Sequence, residues 1–381
     1  MAHESGLARI SSDARRVLSW GDLGRGAGLG PTLRHLRATR NRQNLGSELV
    51  SRGYERIWNR ASEELGAECV PLGRDFLEIR LGGAITRVRR STTMLDDAVT
   101  LGLAGDKEIG QGLLAANGLA VPESVTLESL DVAPALELLG RSPAGCAVKP
   151  AAGSGAGRGV TCGMRTPQEL ALAVRRAAGF GSRILIEPMV PGDDYRLLFL
   201  DGELLDVVRR ERPAVTGDGR SSVGRLMLRE NERRIAAKGK AGSSLLRLDL
   251  DCLFTLRHAG LTLQSVPHSG AHVTVKTVAN DNGAHENTTV RDGLAPELVR
   301  EAAAGAAALG VRLAGVDVIT PDVTRPLAEV GGAINEVNTT PGLHHHYEVA
   351  DGANATPVAV PILRALLGAG VREPAAVAML C

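Results

Sequence analysis

The stretch G-A-I-N-E-V-N-T-T-P-G-L, Gly332 to Leu343, places Glu336 and Asn338 two residues apart in an apolar run. Because successive side chains of a β-strand point to opposite faces, these two side chains share one face. They offer a carboxylate and an amide oxygen, which are hard ligands of the kind that Mg²⁺ prefers. The stretch predicts a strand that presents metal ligands and ends in a turn. A strand with stray polar residues before a turn is the alternative.

A second apolar run, Ala314 to Ile319, precedes this stretch and carries a single acid, Asp317. Its apolar neighbours predict a buried strand with one carboxylate on it. An Asp on one strand and a Glu-x-Asn on the next provide three oxygen ligands, so Asp317, Glu336 and Asn338 are the candidate metal ligands.

A glycine-rich segment, V-K-P-A-A-G-S-G-A-G-R-G-V, occupies residues 148–160. Lys149 lies at the end of a predicted strand, where its ammonium group can reach an α- or β-phosphate. The loop after it exposes backbone N–H groups that can bind a triphosphate. The candidate phosphate-binding residues of this loop are Gly153, Ser154, Gly155, Gly157 and Gly159. The segment is neither a Walker loop nor a Rossmann fingerprint, and a flexible surface loop is the alternative.

Two acids follow in the segment I-L-I-E-P-M-V-P-G-D-D-Y-R, residues 184–196. The predicted strand around Glu187 can offer backbone groups to an adenine edge. Asp194 can accept hydrogen bonds from ribose hydroxyls. For either acid alone, a turn residue is the alternative.

The composition argues against several classes of protein. The 381 residues allow two or three domains with a sizeable core. With 44 Lys and Arg against 43 Asp and Glu, no global charge favours nucleic acid or an anionic membrane. Aromatic residues make up 2%, so base-stacking platforms are not expected. The five cysteines show no C-x-x-C spacing, which suits a reducing cytoplasm, and we expect a soluble cytoplasmic protein.

Local patterns predict the elements along the chain. Residues 1–45 are expected to form a partly irregular leader with a helix near residues 14–20. A hairpin with a Gly-Gly turn is predicted over residues 76–88. Helices are predicted over residues 46–65, 107–117, 166–178, 230–240 and 296–309, and strands over 145–150, 183–189, 195–200, 203–209, 261–265, 274–278 and 314–319. Thr166 and Glu169 form a capping box at the start of the third helix.

Residues 96 to about 350 resemble the ATP-grasp ligase family, and within it the ATP-grasp domain of cyanophycin synthetases. The resemblance rests on these segments: L-A-G-D-K at 103–107, V-K-P-A-A-G-S-G-A-G-R-G-V at 148–160, E-P-M-V-P-G-D-D-Y-R at 187–196, R-R-E-R-P-A-V-T-G-D-G at 209–219, A-G-V-D-V-I-T-P-D at 314–322 and G-G-A-I-N-E-V-N-T-T-P-G-L at 331–343. It implies an α/β fold of the ATP-grasp type. We expect a leader and small α/β domain at 1–95, an ATP-grasp subdomain at 96–182 and a C-terminal ATP-grasp subdomain with the metal site at 183–381.

The resemblance also implies an activity and its cofactors. ATP phosphorylates a carboxylate, an amine attacks the acyl phosphate, and ADP and phosphate are released. Lys107 and Lys149 would bind ATP phosphates, and Glu187 and Asp194 would mark the adenosine pocket. Asp317, Glu336 and Asn338 would hold two Mg²⁺ ions, with Mn²⁺ as a substitute. The expected partners are small amino-acid or peptide substrates and further copies of the chain, in a dimer or tetramer, without nucleic acid or membrane.

The sequence departs from the family pattern at the arginine that stabilises the acyl phosphate. Related D-alanine ligases carry an Arg two residues before the metal-binding Asp, and Gly315 occupies that position here. Three nearby arginines are candidates for this role, with surface arginines as the alternative: Arg209, Arg210 and Arg212.

Two further groups of residues are candidates for contact with the substrate. His285, Glu286 and Asn287 are expected to line the amino-acid pocket, with a polar turn as the alternative. His344 stands where relatives usually carry an Arg, so an imidazole replaces a guanidinium group. The alternative for the His run at 344–346 is a solvated helix start.

These features predict an ATP-dependent carboxylate–amine ligase that joins amino acids or extends a small peptide. No Mur-ligase-like half follows the ATP-grasp segments in this sequence, so we expect a single ligation chemistry. One alternative is an ATP-grasp ligase with a non-amino-acid amine or a thiol as acceptor. Another is a non-catalytic nucleotide-binding module, although three retained metal ligands argue against it.

Overall fold

A computed structural model describes residues 50–153, 155, 157–237, 244–350, 352–368 and 371–372. The predicted leader with its helix, and Ser154 of the glycine loop, lie outside the described residues. The described residues form two compact units. Unit 1 comprises Pro122–Val190 and Glu211–Glu286, and unit 2 comprises residues 50–121, Pro191–Arg210 and residues 287–372. The expected domain ranges 1–95, 96–182 and 183–381 stay a prediction.

The elements are numbered here in chain order. The strands are β1 (Glu68–Gly73), β2 (Phe76–Leu81), β3 (Ala84–Arg89), β4 (Val125–Leu127), β5 (Cys146–Pro150), β6 (Thr161–Met164), β7 (Ile184–Pro188), β8 (Asp193–Leu200), β9 (Glu203–Arg210), β10 (Ala214–Thr216), β11 (His272–Thr274), β12 (Asn287–Thr289), β13 (Leu313–Thr320), β14 (Ala333–Asn338) and β15 (Val371–Arg372). The α-helices are α1 (residues 50–65), α2 (Ala98–Ala104), α3 (Lys107–Ala116), α4 (Leu136–Gly140), α5 (Pro167–Ala177), α6 (Val223–Ala236), α7 (Leu250–His258), α8 (Pro296–Ala308), α9 (Leu327–Val330) and α10 (Ala359–Gly368).

Unit 2 contains a small antiparallel sheet in the order β1-β2-β3-β15. The hairpin between β2 and β3 turns at Gly82 and Gly83, both with positive φ, as the Gly-Gly signal predicted. Helix α1 contributes Trp58 to the core of this sheet, and the indole N–H donates to the carbonyl of Arg90 at 2.8 Å. The amphipathic indole is therefore buried with its polar atom satisfied.

The larger sheet of unit 2 has the order β12-β9-β8-β13-β14, with β8 in the middle. Strand β13 pairs antiparallel with β8 on one side and β14 on the other, which sets Asp317 opposite both Arg196 and Glu336. Helices α3 and α8 supply Leu114 and Leu298 to the apolar core on this sheet. The predicted strands over 314–319 and around Glu336 are confirmed.

Unit 1 contains an antiparallel sheet in the order β4-β7-β5-β6. Helices α5 and α7 pack their apolar side chains, including Leu170 and Phe254, into the core with Val148 and Ile186 of the strands. The predicted N-cap is confirmed, because the N–H of Glu169 donates to the Thr166 hydroxyl at 3.2 Å. The reciprocal half of the capping box is displaced by one residue, since the Glu169 carboxylate accepts from the N–H of Arg165 at 2.8 Å.

A second layer of unit 1 joins β10 and β11 to α6 around a separate apolar cluster that includes Val215 and Met227. The predicted strand over residues 261–265 is wrong, since these residues form a turn instead. Of the strand predicted over 274–278, only Thr274 lies in a strand, β11, and the helix predicted over 230–240 begins earlier, at Val223, and ends at Ala236. Within the described part of the chain, no helix combines the length and apolarity needed to cross a bilayer.

Candidate active site

Strands β13 and β14 bring the three predicted metal ligands of unit 2 together. Asp317 pairs with Glu336 and Gly315 with Asn338, so the three polar side chains share one face of the sheet. The Asn338 amide donates to Asp317 Oδ2 at 3.2 Å and to the Gly315 carbonyl at 3.3 Å. Lys107 Nζ, at the start of α3, lies 3.6 Å from Glu336 Oε2. The face therefore combines two carboxylates, an amide and a lysine.

Two arginines surround Asp317 inside unit 2. Arg196 makes a two-point contact, from Nε to Oδ1 and from Nη2 to Oδ2, both at 2.7 Å. Arg210 Nη2 reaches Asp317 Oδ2 at 2.9 Å and Asp194 Oδ1 at 2.6 Å. The side chains of Arg196, Arg210 and Asp317 are at most 6% exposed. Two buried guanidinium groups thus face two carboxylates, and the charges balance.

Burial and the neighbouring charges shift the pKa values of this cluster in opposite directions. Burial alone would raise the pKa of Asp317, but Arg196 and Arg210 outweigh burial and lower the pKa to about 2. Burial raises the pKa of Asp194 despite the opposing pull of Arg210. Burial would also lower the pKa of Arg210, yet Asp194 and Asp317 raise it further above its ordinary value.

The arginines predicted for the acyl phosphate occupy different places. Arg210 lies in the Asp317 cluster. Arg209 is adjacent in strand β9 and points to the opposite face, where Nη1 lies 3.6 Å from Asp193 Oδ2 and 38% of its side chain is exposed. Arg212 belongs to unit 1. Of these three arginines, only Arg210 contacts, within unit 2, the sheet face that carries Asp317, Glu336 and Asn338.

In unit 1 the predicted phosphate lysine is buried against an acid. Lys149 Nζ lies 2.6 Å from Glu187 Oε2, and the two side chains are 6% and 3% exposed. Strands β5 and β7 pair side by side, so both side chains project from the same sheet. The pair neutralises two charges that would be costly to bury singly.

The glycine loop follows β5 and is shaped by steric limits. Gly157 and Gly159 have φ values of +66° and +77°. A Cβ at Gly157 would lie 2.7 Å from Val278 Cγ1, and one at Gly159 would lie 2.7 Å from a ring carbon of Phe180. These two positions therefore favour glycine through both backbone conformation and space. Gly153 also has a positive φ, and Gly155 has open space around it.

The predicted substrate residues 285–287 are divided between the two units. Glu286 is buried, and its carboxylate accepts hydrogen bonds from the backbone N–H groups of Ala214 and Gly283 and contacts Arg234. This carboxylate holds the local fold together. Half of the His285 side chain is exposed, whereas Asn287 is buried and donates to the Glu348 carbonyl at 2.9 Å. Their contact with a substrate stays a prediction.

The histidines at 344–346 form part of a 3₁₀ turn, Leu343–His346. His344 Nδ1 lies 3.1 Å from the Tyr54 hydroxyl, and its ring lies 4.1 Å from the His345 ring. Burial and then the charge of Arg196 lower the pKa of His344 to about 3, so its imidazole is neutral. His346 Nδ1 bonds Asp206 at 2.6 Å. His345 and His346 are buried, so the alternative of a solvated helix start is wrong.

The donor set on β13 and β14 fits a magnesium ion chemically. Asp317, Glu336 and Asn338 offer carboxylate and amide oxygens, which are the ligands Mg²⁺ accepts most readily. Among the described residues, no group of three or more His, Cys, Asp or Glu side chains forms a metal site. Asp317, Glu336 and Asn338 stay the predicted ligands of Mg²⁺.

Comparison with known proteins finds relatives of this chain. No protein-family model matches the chain. A cyanophycin synthetase from Nostoc sp. is 33% identical over 296 residues, which cover 76% of this chain and 32% of the relative. A glutathione biosynthesis bifunctional protein from Clostridium perfringens is 25% identical over 284 residues, covering 74% of this chain and 36% of the relative. The chain thus spans about a third of the length of these relatives.

Among solved structures, a bifunctional glutathione synthetase from Pasteurella multocida superposes with a TM-score of 0.51 and 22% identity, covering 81% of this chain and 42% of that structure. This likeness shows the fold. The chain has the ATP-grasp fold.

One residue of this ATP-grasp chain was not found from the sequence. Arg196 packs over Gly315, where a Cβ would lie 3.5 Å from both Cδ and Nε of the arginine. Its side chain therefore lies beside Gly315, the position at which the sequence departs from the family pattern. The sequence feature that could have indicated Arg196 is its position as a single charged residue in the apolar run Tyr195 to Leu200 of strand β8.

Proposed function

We propose that the chain is an ATP-dependent carboxylate–amine ligase, which forms an amide bond between amino acids or on a small peptide. The observation that carries the proposal is the cluster on β13, where oxygen ligands for Mg²⁺ lie beside two buried guanidinium groups. Oxygen ligands suit a metal-bound polyphosphate, and guanidinium groups suit the transferring phosphoryl group.

The reaction passes through an acyl phosphate. A carboxylate oxygen of the substrate attacks the γ-phosphorus of ATP, and the bond to the β-phosphate oxygen breaks to release ADP. An amine nitrogen then attacks the acyl carbon, and orthophosphate leaves with the bonding electrons. The nitrogen loses its proton to solvent or a nearby base. Each step moves negative charge onto phosphate oxygens, which is the charge that a preorganised cation stabilises.

The residues of unit 1 are assigned to the nucleotide. Lys149 exchanges Glu187 for a phosphate oxygen, since a charge-assisted bond to phosphate can replace its 2.6 Å contact. Glu187 then becomes available to the adenosine side. The described loop glycines Gly153, Gly155, Gly157 and Gly159 offer backbone N–H groups to the phosphates.

The residues of unit 2 are assigned to the transferring group. Asp317, Glu336 and Asn338 would hold Mg²⁺, which neutralises phosphate charge and orients the polyphosphate when bound. Arg210 and Arg196 stabilise the acyl phosphate, and Lys107 binds an outer phosphate beside Glu336. Asp194 is assigned to the ribose, although in this state it bonds Arg210.

The substrate end of the proposal involves His285, Glu286, Asn287 and His344. A neutral His344 offers a hydrogen bond but no positive charge. The substrate group that it faces therefore need not be a carboxylate in addition to the one that is phosphorylated. We further propose a dimer or tetramer in the cytoplasm, with Mn²⁺ as a substitute for Mg²⁺. Four described cysteines are free thiols, which agrees with a reducing compartment.

The experiment that tests the proposal uses ATP labelled in the γ-phosphate, a panel of amino acids as carboxylates, and hydroxylamine as a surrogate amine. Labelled orthophosphate should appear together with a hydroxamate. Labelled pyrophosphate would mean attack at the α-phosphate and would overturn the mechanism.

A matrix of paired amino acids, with phosphate release as the readout, then identifies the substrates. Turnover only with a non-amino-acid amine or a thiol would select the alternative acceptor class. Nucleotide binding without any turnover across the matrix would support a non-catalytic module.

A further inference from the structure

The glycine loop of unit 1 lies against a second segment of the same unit, residues 277–280, called here the loop floor. A Cβ at Gly157 would lie 2.7 Å from Val278 Cγ1 and 3.4 Å from Asn280 Cβ. The backbone of the loop therefore rests directly on these two side chains. Any shift of the loop floor must move Gly157 or open a gap beneath it.

A single carboxylate connects the loop floor to the strand that leaves the glycine loop. Asp251 Oδ1 accepts a hydrogen bond from the N–H of Cys162, in β6, at 3.0 Å. Its Oδ2 accepts from the N–H groups of Thr277 and Val278, each at 3.0 Å. Asp251 lies in the first turn of α7 and is fully buried. One side chain thus sets the spacing of two backbone segments that flank Gly157.

Asp251 lies beside a network of buried ion pairs. Lys276 is fully buried and bonds Asp249 at 2.6 Å and Asp281 at 2.9 Å, and Arg247 bonds Asp281 as well. Burial raises the pKa of Asp251 to about 6, although Lys276 and the N–H groups oppose the increase. Both of its oxygens accept backbone N–H groups, which is the hydrogen-bonding pattern of an ionised carboxylate.

We propose that Asp251 is a positioning residue for nucleotide binding, which acts through Cys162 and the loop floor on the backbone N–H groups around Gly157. This inference rests on the proposed function of the glycine loop as a phosphate-binding segment. Asp251 touches neither nucleotide nor substrate in this proposal. It sets where the phosphate-binding groups lie, because an anchored loop loses less entropy on binding than a free one.

The main test replaces Asp251 by Asn, which keeps the size but turns one acceptor oxygen into a donor facing backbone N–H groups. At least one of the three hydrogen bonds is lost. We expect the KM for Mg-ATP to rise about tenfold, as for the loss of one bond to a charged acceptor. The kcat and the KM values for the carboxylate and amine should stay within about twofold.

Asp249→Asn is the matched control, because Asp249 lies two residues away in the same acidic cluster. It bonds Lys276 and the N–H of Cys252, and its recorded hydrogen bonds do not reach Cys162 or the loop floor. If burial of charge alone mattered, both variants would lose stability and nucleotide affinity in parallel. The proposal expects a rise in the KM for Mg-ATP only for Asp251→Asn.

Two measurements keep the outcome decisive. Calorimetric titration with Mg²⁺ and a non-hydrolysable ATP analogue separates this inference from the ligase proposal. Nucleotide binding without turnover in the wild type would contradict the ligase proposal. Weaker nucleotide binding by Asp251→Asn would still support the positioning role. If Asp251→Asn does not fold, Val278→Ala removes the contact under Gly157 and leaves the backbone bonds in place. Unchanged affinity in a folded Asp251→Asn, or in Val278→Ala where that variant is needed, would overturn the proposal.

Discussion

Replacing Asp317 by Asn should lower the free energy of unfolding by about 3–5 kcal/mol, because breaking a buried ion pair leaves an uncompensated charge. Asp317 receives bonds at 2.7, 2.7 and 2.9 Å from Arg196 and Arg210, whose side chains are 6% and 2% exposed. After the substitution, Asp194 alone remains to balance two guanidinium groups.

The assay is chemical and thermal unfolding of the protein without nucleotide or metal, so that any effect on catalysis does not enter. For a domain of this size, each 1 kcal/mol shifts the melting temperature by about 2–4 °C. We therefore expect the melting temperature of Asp317→Asn to fall by about 6–20 °C. The transition should belong to the unit that contains the large sheet.

Asp201→Asn is the matched control for this prediction. Asp201 faces Arg312 with the same two-point geometry, at 2.7 and 2.9 Å, but the side chains are 46% and 42% exposed. Its φ is 51°, a left-handed conformation that Asn also adopts readily. An exposed pair contributes below about 1 kcal/mol. Equal, small losses in both variants would refute the argument, since Asp317 would then be screened by water like a surface residue.

Three further predictions concern the site and its surroundings. Lys149→Ala should weaken binding of a non-hydrolysable ATP analogue at least tenfold in calorimetry, while an unchanged affinity would return Lys149 to a purely structural role beside Glu187. Glu336→Gln should lower kcat by orders of magnitude and leave the melting temperature nearly unchanged, because its side chain is 25% exposed and its ion pair with Lys107 is long at 3.6 Å; ligation at the wild-type rate would contradict the metal assignment. The free energy of unfolding should decrease as the pH falls below about 6.5, because His344 has a folded pKa of about 3 and becomes charged only after unfolding. At pH 5 the loss of unfolding free energy from His344 is about 2 kcal/mol. Urea unfolding of His344→Gln should show a smaller decrease in unfolding free energy over the same pH range.

The parts of the fold that follow from neighbouring residues were predictable. The Gly82-Gly83 hairpin and the Thr166 cap depend on residues within a few positions of one another, and both formed as predicted. The predicted strand over 261–265 is wrong because the local chemistry favours a turn: the Ser265 N–H donates to the Thr262 carbonyl, and the Ser265 hydroxyl accepts from the Thr262 N–H.

Partners that are distant in sequence were not predictable in the same way. Arg196 meets Asp317 across 121 positions, and Cys162 meets Asp251 across 89 positions. A periodic pattern reports which face of an element is buried, but it does not report which charge lies opposite. The predicted metal ligands could be named from the sequence because each strand carries its polar residues within a short run, whereas the contact of Arg196 with Asp317 depends on the order of the strands.

The order of strands in the large sheet has a consequence for biosynthesis. Strand β8 ends at Leu200, and its partner β13 begins at Leu313, so about 110 residues of unit 1 and its flanks emerge in between. At 5–20 residues per second, the hairpin of β8 and β9 carries an unpaired edge for roughly 5–20 s during translation. The strand at that edge carries the apolar side chains of Leu197 and Phe199, and an unpaired apolar edge can pair with other nascent chains. A chaperone that covers this edge until residue 320 has left the ribosome would raise the yield of folded protein.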